Sequence, residues 1–135
     1  MSRGLNKIML IGNLGRDPEM RYTPSGKPVT SFPMGVTYTW HDADGERREQ
    51  TEWFNIIAWG GLAEVCNQYL HKGQRVYIEG RLQTRRWQDS AGEERIATEV
   101  VAREMIMLDE LRGGAAPTYA EEAADEDEER VPQED

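Results

Sequence analysis

The chain has 135 residues, 30% of them charged and 38% hydrophobic, which suits one soluble domain with an appendage. No apolar run is long enough to span a membrane, and the first residues lack the apolar stretch of a secretory signal, so a cytoplasmic location is expected. The net charge of −9 argues at first against a polyanionic partner, but it is unevenly placed. Residues 1–112 hold 15 Lys and Arg against 16 Asp and Glu, whereas residues 113–135 hold Arg130 against 9 acids.

In chain order, Leu5 to Leu14 is rich in Ile, Leu and Met and reads as a strand. Arg16-Asp17-Pro18 and Thr23-Pro24-Ser25-Gly26 carry turn chemistry. Val29 to Trp40 alternates as a strand, with Val36, Tyr38 and Trp40 on one side. Asp42 to Glu46 reads as a hairpin tip before a strand from Gln50 to Trp59. Leu62, Val65, Cys66 and Tyr69 recur at helical spacing, and Gly73 closes that helix. Arg75 to Trp87 is a strand that turns at Asp89-Ser90-Ala91-Gly92, and Thr98 to Leu108 is the last. No internal repeat is evident. Three strands, a helix and two strands predict an all-β fold, a five-stranded Greek-key barrel of the OB type with one short helix, over residues 1–112.

Gly113-Gly114-Ala115-Ala116-Pro117 marks the end of that domain. Beyond it, residues 113–135 are mostly Ala, Glu and Asp, with too little apolar surface to offset the entropy of ordering. A disordered acidic tail is expected there, either solubilising or partner-binding.

Cys66 is the only cysteine, so no disulfide closes within the chain, and its apolar neighbours predict a buried thiol. His41 and His71 are isolated, so neither a metal nor another cofactor is expected. Gly12-Asn13-Leu14-Gly15 and Gly26-Lys27-Pro28 lack the spacing of phosphate-cradling loops, and no nucleophile–base pair stands out. An enzyme is not expected.

Four tryptophans carry the functional signal. Alternation groups Trp53, Asn55, Ile57 and Trp59 on one face, leaving Phe54, Ile56 and Ala58 for the core. Trp87 shares a face with Arg75, Arg81 and Arg85, an aromatic in cationic company. Trp40 ends a strand just before a polar tip. Exposed rings among cations suit sequence-tolerant binding of single strands, the ring stacking on any base while Arg and Lys follow the phosphates. Candidate DNA contacts are thus Trp40, Trp53, Trp59 and Trp87 with Arg3, Lys7, Arg21, Lys72, Arg81, Arg85 and Arg86. The rival reading is an interaction module whose tryptophans are already buried at protein interfaces.

The segments S-R-G-L-N-K-I-M-L-I-G-N-L-G-R-D-P-E-M-R-Y, E-Q-T-E-W-F-N, Y-L-H-K-G and V-Y-I-E-G-R-L-Q-T-R-R-W closely resemble the bacterial single-stranded DNA-binding protein family across about residues 1–110. The resemblance implies an OB-fold, a homotetramer built as a dimer of dimers, and work at the nucleoid in replication, recombination and repair. It places Trp40, Trp53, Trp59 and Trp87 on the family's base-stacking positions, with Trp59 where Phe is often found and Phe54 where His is common. It also implies subunit contact near Asn6 and Lys7. The family's acidic tail usually ends in acids, Pro and a terminal Phe that docks on replication and repair proteins. This sequence closes with Val131-Pro132-Gln133-Glu134-Asp135, without that aromatic anchor, which puts such recruitment in question.

Overall fold

The computed structural model describes residues 3–108 and the short strand Tyr119–Glu121. The elements are β1 (Ile8–Leu14), β2 (Glu19–Tyr22), β3 (Pro28–His41), β4 (Arg47–Trp59), α1 (Gly60–Tyr69), β5 (Arg75–Gln88), β6 (Glu94–Met107) and β7 (Tyr119–Glu121). Five of the strands close on themselves. β1 pairs with β5, β5 with β6, and β4 with β3, all antiparallel. A parallel contact of Ile56 and Ile57 with Val100 and Val101 joins β4 to β6, and Asn13–Gly35 and Leu14–Met34 join β1 to β3. This is the expected five-stranded OB barrel, and closure removes most of the free sheet edge.

The sequence expectation and the structure differ at the margins, each time for a local reason. β1 begins at Ile8 instead of Leu5, because the Asn6 side chain takes over the ladder. Asn6 Nδ2 donates to the Leu82 carbonyl at 2.7 Å and Asn6 Oδ1 accepts from the Leu82 N–H at 2.9 Å. β2 lies between the two turn signals at residues 16–18 and 23–26; four residues are too few to show a period. It adds to β3 outside the ring. The tail expected over 113–135 falls outside the described residues except for β7, which pairs antiparallel with Glu104–Ile106 of β6.

Inside the barrel, Leu10, Leu14, Phe32, Met34, Ile56, Ala58, Val76, Ile78, Val100, Ala102 and Met105 form one buried cluster. The strands supply them at alternate positions, as half-buried strands must, save that a register shift at Glu79–Gly80 brings Met105 rather than Glu104 into the core after Ala102. Helix α1 plugs the cluster with Leu62, Ala63 and Cys66. Tyr69, expected on that face, is exposed, and Leu70 takes its place after the helix ends. Buried Thr30 Oγ1 donates to the Ala63 carbonyl at 2.7 Å, tying the helix to β3.

Burial pushes the Cys66 thiol up to about 12. A raised acid keeps its stabilising effect below its unfolded pKa and loses it as the pH rises toward the folded one. The barrel should therefore lose stability between about pH 9 and 12. Iodoacetamide at pH 8 should label Cys66 only after denaturant is added; rapid labelling of the native protein would contradict this burial.

Beyond the core, two hairpins project as arms. Residues 37–51 of β3 and β4 form one, and residues 82–98 of β5 and β6 form the other. Their outer residues are largely exposed. They carry two of the four tryptophans, Trp40 and Trp87, away from the core.

Candidate nucleic-acid interface

A groove of about 470 Å³ runs over the outside of the barrel between β2 and the β5–β6 arm. Its lining includes Arg21 and Tyr22 from β2, Asn55, Ile57 and Trp59 from β4, and Arg85 and Trp87 from β5. Alternation puts Asn55, Ile57 and Trp59 on one face of β4 and Arg85 and Trp87 on one face of β5, and β2 borders the groove beside them.

Trp59 lies in the groove floor. It is only 4% exposed and packs with Val29 and Val101 in a small apolar cluster on the outer face of the barrel. Its ring thus both stabilises the barrel and faces the groove. The indole N–H is buried with no hydrogen-bond partner, and Lys27 Nζ stands 5.7 Å from a ring centroid of the same side chain.

Trp87 is half-buried on the opposite wall. The Arg85 guanidinium carbon sits 4.3 Å from its ring centroid, close enough for a cation–π contact. Arg85 Nε donates to Glu99 Oε2 at 2.9 Å. The Glu99 side chain is 3% exposed and that of Arg85 19%, so this is a largely buried ion pair. Glu99 therefore offsets the charge of Arg85, and Glu99–Arg85–Trp87 form a single stacked unit.

Trp53 is 62% exposed on the same face of β4 as Trp59. Its ring lies over Gly15 and Gly35, where an added methyl would come within 2.7 Å and 3.0 Å of ring carbons. Those two glycines form the shelf that lets the ring lie down. A Gly15→Val variant should lift the ring, changing the Trp53 emission while leaving the core intact. An unaltered spectrum would mean that the shelf has no hold on the ring.

Trp40 is not gathered with the others. Its register partner is Arg48, and it shares the face of Phe32 and Met34 rather than that of Trp53. It is 43% exposed near the end of the β3–β4 arm, with Tyr38 6.4 Å away, ring to ring.

The predicted cations divide similarly. Arg21 and Arg85 line the groove, and Arg81 is half-buried on the outer side of β5. Arg86 alternates to the other side of the arm from Trp87 and pairs with Glu94 at 3.6 Å. It neighbours Trp87 in sequence, but successive strand residues point to opposite faces. Lys7 pairs with Glu79 at 3.1 Å on β5, outside the groove lining. The Tyr77 hydroxyl and then Lys7 hold that carboxyl below its usual range. Arg3 and Lys72 are exposed, and the Lys72 backbone N–H donates to Asp17 Oδ1 at 2.8 Å.

Sequence reasoning missed Tyr22 and Glu99. Tyr22 was hidden in a strand too short to show alternation. Glu99 carries no signal of its own in the sequence. Its contact with Arg85 depends on the β5–β6 register, in which Gln83 is opposite Glu99 and Arg85 lies diagonally across. Among the described residues no three His, Cys, Asp or Glu side chains are grouped to hold a metal ion.

Residues 5–108 match the single-strand binding protein family. Over 121 residues the chain is 50% identical to single-stranded DNA-binding protein 1 of Chlorobaculum tepidum, covering 89% of this chain and 75% of that protein. The fold is similar to the Plasmodium falciparum SSB solved in complex with ssDNA, with a TM-score of 0.74 and 31% identity over 81% of this chain and 99% of that one. These proteins are binders and not enzymes. A closed five-stranded barrel bearing this groove and a family match over most of its length lead to one conclusion: the chain belongs to the single-strand binding protein family.

Proposed function

We propose that the protein binds single-stranded DNA with little sequence preference and protects exposed strands during replication, recombination and repair. The observation that carries this reading is the groove floored by Trp59 and walled by Trp87, with Trp53 on its glycine shelf on the same face of β4 as Trp59. Bases stack on these rings, and Trp40 offers another at the end of its arm. Arg21 and Arg85 line the groove and Lys27 stands by the Trp59 ring, while Arg3, Lys7, Lys72, Arg81 and Arg86 meet the backbone as the strand leaves the groove. The names of the relatives, a single-stranded DNA-binding protein and an SSB in complex with ssDNA, support the same ligand.

Much of the cationic charge here is already partnered. Arg85 is held by Glu99, Lys7 by Glu79 and Arg86 by Glu94. Binding should therefore lean on stacking, with a salt dependence shallower than the number of nearby Arg and Lys suggests. We further propose that the protein acts in the cytoplasm as a homotetramer.

Titration with oligo-dT at low and high salt, followed by tryptophan emission, tests the reading. Saturable quenching that persists at high salt is expected. The rival interaction module requires rings buried in the free protein, and the exposure of Trp53 and Trp40 speaks against it. Absence of quenching at low salt would restore it.

A further inference from the structure

The two arm ends are built alike. Residues 40–48 read Trp-His-Asp-Ala-Asp-Gly-Glu-Arg-Arg and residues 87–95 read Trp-Gln-Asp-Ser-Ala-Gly-Glu-Glu-Arg. Trp, Asp, Gly, Glu and Arg stand at the same five offsets, a local repeat too short to register as a sequence period. In space the match extends to individual atoms. Asp42 Oδ1 accepts from the N–H of Asp44 and of Glu46, both at 2.9 Å. Asp89 Oδ1 accepts from Ala91 at 3.0 Å and Glu93 at 2.9 Å. The other oxygen of each carboxylate accepts from an arginine Nε, that of Arg48 at 2.9 Å and that of Arg95 at 2.8 Å. Gly45 and Gly92 make the turn possible at φ of 80° and 82°.

The strand register adds the decisive point. Arg48 is the direct cross-strand partner of Trp40, and Arg95 that of Trp87. Cross-strand partners share a face, so each ring has beside it an arginine anchored from behind by the tip aspartate. Their side chains are 58% and 57% exposed, which leaves the outer edge of each guanidinium facing solvent. An acid on a surface that takes a polyanion is an electrostatic cost. Two identical acids at two equivalent places call for a reason.

We propose that Asp42 and Asp89 are positioning residues that hold Arg48 and Arg95 opposite Trp40 and Trp87, making each arm end a preformed clamp for one base and its phosphate. The ring takes the base, and the outer edge of the guanidinium takes the phosphate. Anchoring through Nε removes most of the freedom a long side chain would otherwise lose on binding. The inference rests on the DNA-binding reading above.

The test is Asp42→Asn, Asp89→Asn and the double variant in the full chain, titrated with oligo-dT across a range of salt. Asn keeps an oxygen for the two backbone N–H groups, so the turn persists, but its amide N–H cannot accept from the arginine Nε. Each single variant should bind about threefold more weakly, as expected for one exposed ion pair, and the double about tenfold if the distant sites add. Simple electrostatics makes the opposite forecast, because each change removes a negative charge. Tighter or unchanged binding with a steeper salt dependence would overturn the clamp. Arg48→Lys with Arg95→Lys supplies a second route that keeps the charge and alters only exposed side chains. It should weaken binding as the Asn variants do, and unchanged affinity there would also overturn the proposal. Failure of the wild-type protein to quench would remove the DNA-binding reading itself. Wild-type quenching with undiminished Asn and Lys variants would remove the clamp alone.

Discussion

Arg85→Ala should destabilise the barrel by about 3 kcal/mol, the lower end of the range for breaking a buried ion pair, because Arg85 is itself partly exposed. The loss comes mainly from Glu99, whose carboxylate stays buried with its cation gone. For a domain of this size the melting temperature should fall by more than about 10 °C, read by circular dichroism. Replacing both partners, Arg85→Met with Glu99→Leu, should recover most of that stability, since a buried pair is often matched by apolar side chains. The double variant should nonetheless bind oligo-dT more weakly, because the guanidinium stacked on the Trp87 ring is then gone and only Arg95 remains beside it. If Arg85→Ala melts like the wild type, Glu99 is reaching water and the pair is not buried in solution.

Trp87→Ala should lower affinity for oligo-dT by about 5- to 150-fold, the equivalent of about 1–3 kcal/mol for one stacked base. Stability should hardly change, because that ring stands on an arm away from the main cluster. Trp59→Ala makes the contrast. Its ring is buried against Val29 and Val101, so its removal should cost both affinity and about 3 kcal/mol of stability. Paired melting and fluorescence measurements separate the two roles. Equal losses of stability in both variants would mean that Trp87 is a packing residue, and the groove would then have one stacking wall.

The order of strands, the single helix and the barrel were legible because half-buried strands alternate and the helix carries its own spacing. Ile56 and Ala58 entered the core on parity alone, as did Trp53 and Trp59 the outer face. The tryptophans were found by their company, since Arg81 and Arg85 share the parity of Trp87. Arg86 shows where adjacency misleads: it neighbours Trp87 in sequence and points the other way. Tyr22 and Glu99 were invisible for a different reason. Neither had a signal of its own, and each joined the site through a strand pairing made elsewhere in the chain.

By itself, then, the sequence determined which segments form the five barrel strands, which of their side chains face inward, where the acidic segment begins and that the rings keep basic company. These are properties of neighbours along the chain, set by backbone period and side-chain chemistry. Only the tertiary structure decided that Trp59 is a buried floor and Trp53 an exposed ring on a glycine shelf, that Arg85 is held by Glu99, and that Trp40 stands apart. Those outcomes depend on register and on barrel closure, which bring together residues far apart in sequence. Parity assigns a side chain to a face; only closure decides whether that face is covered.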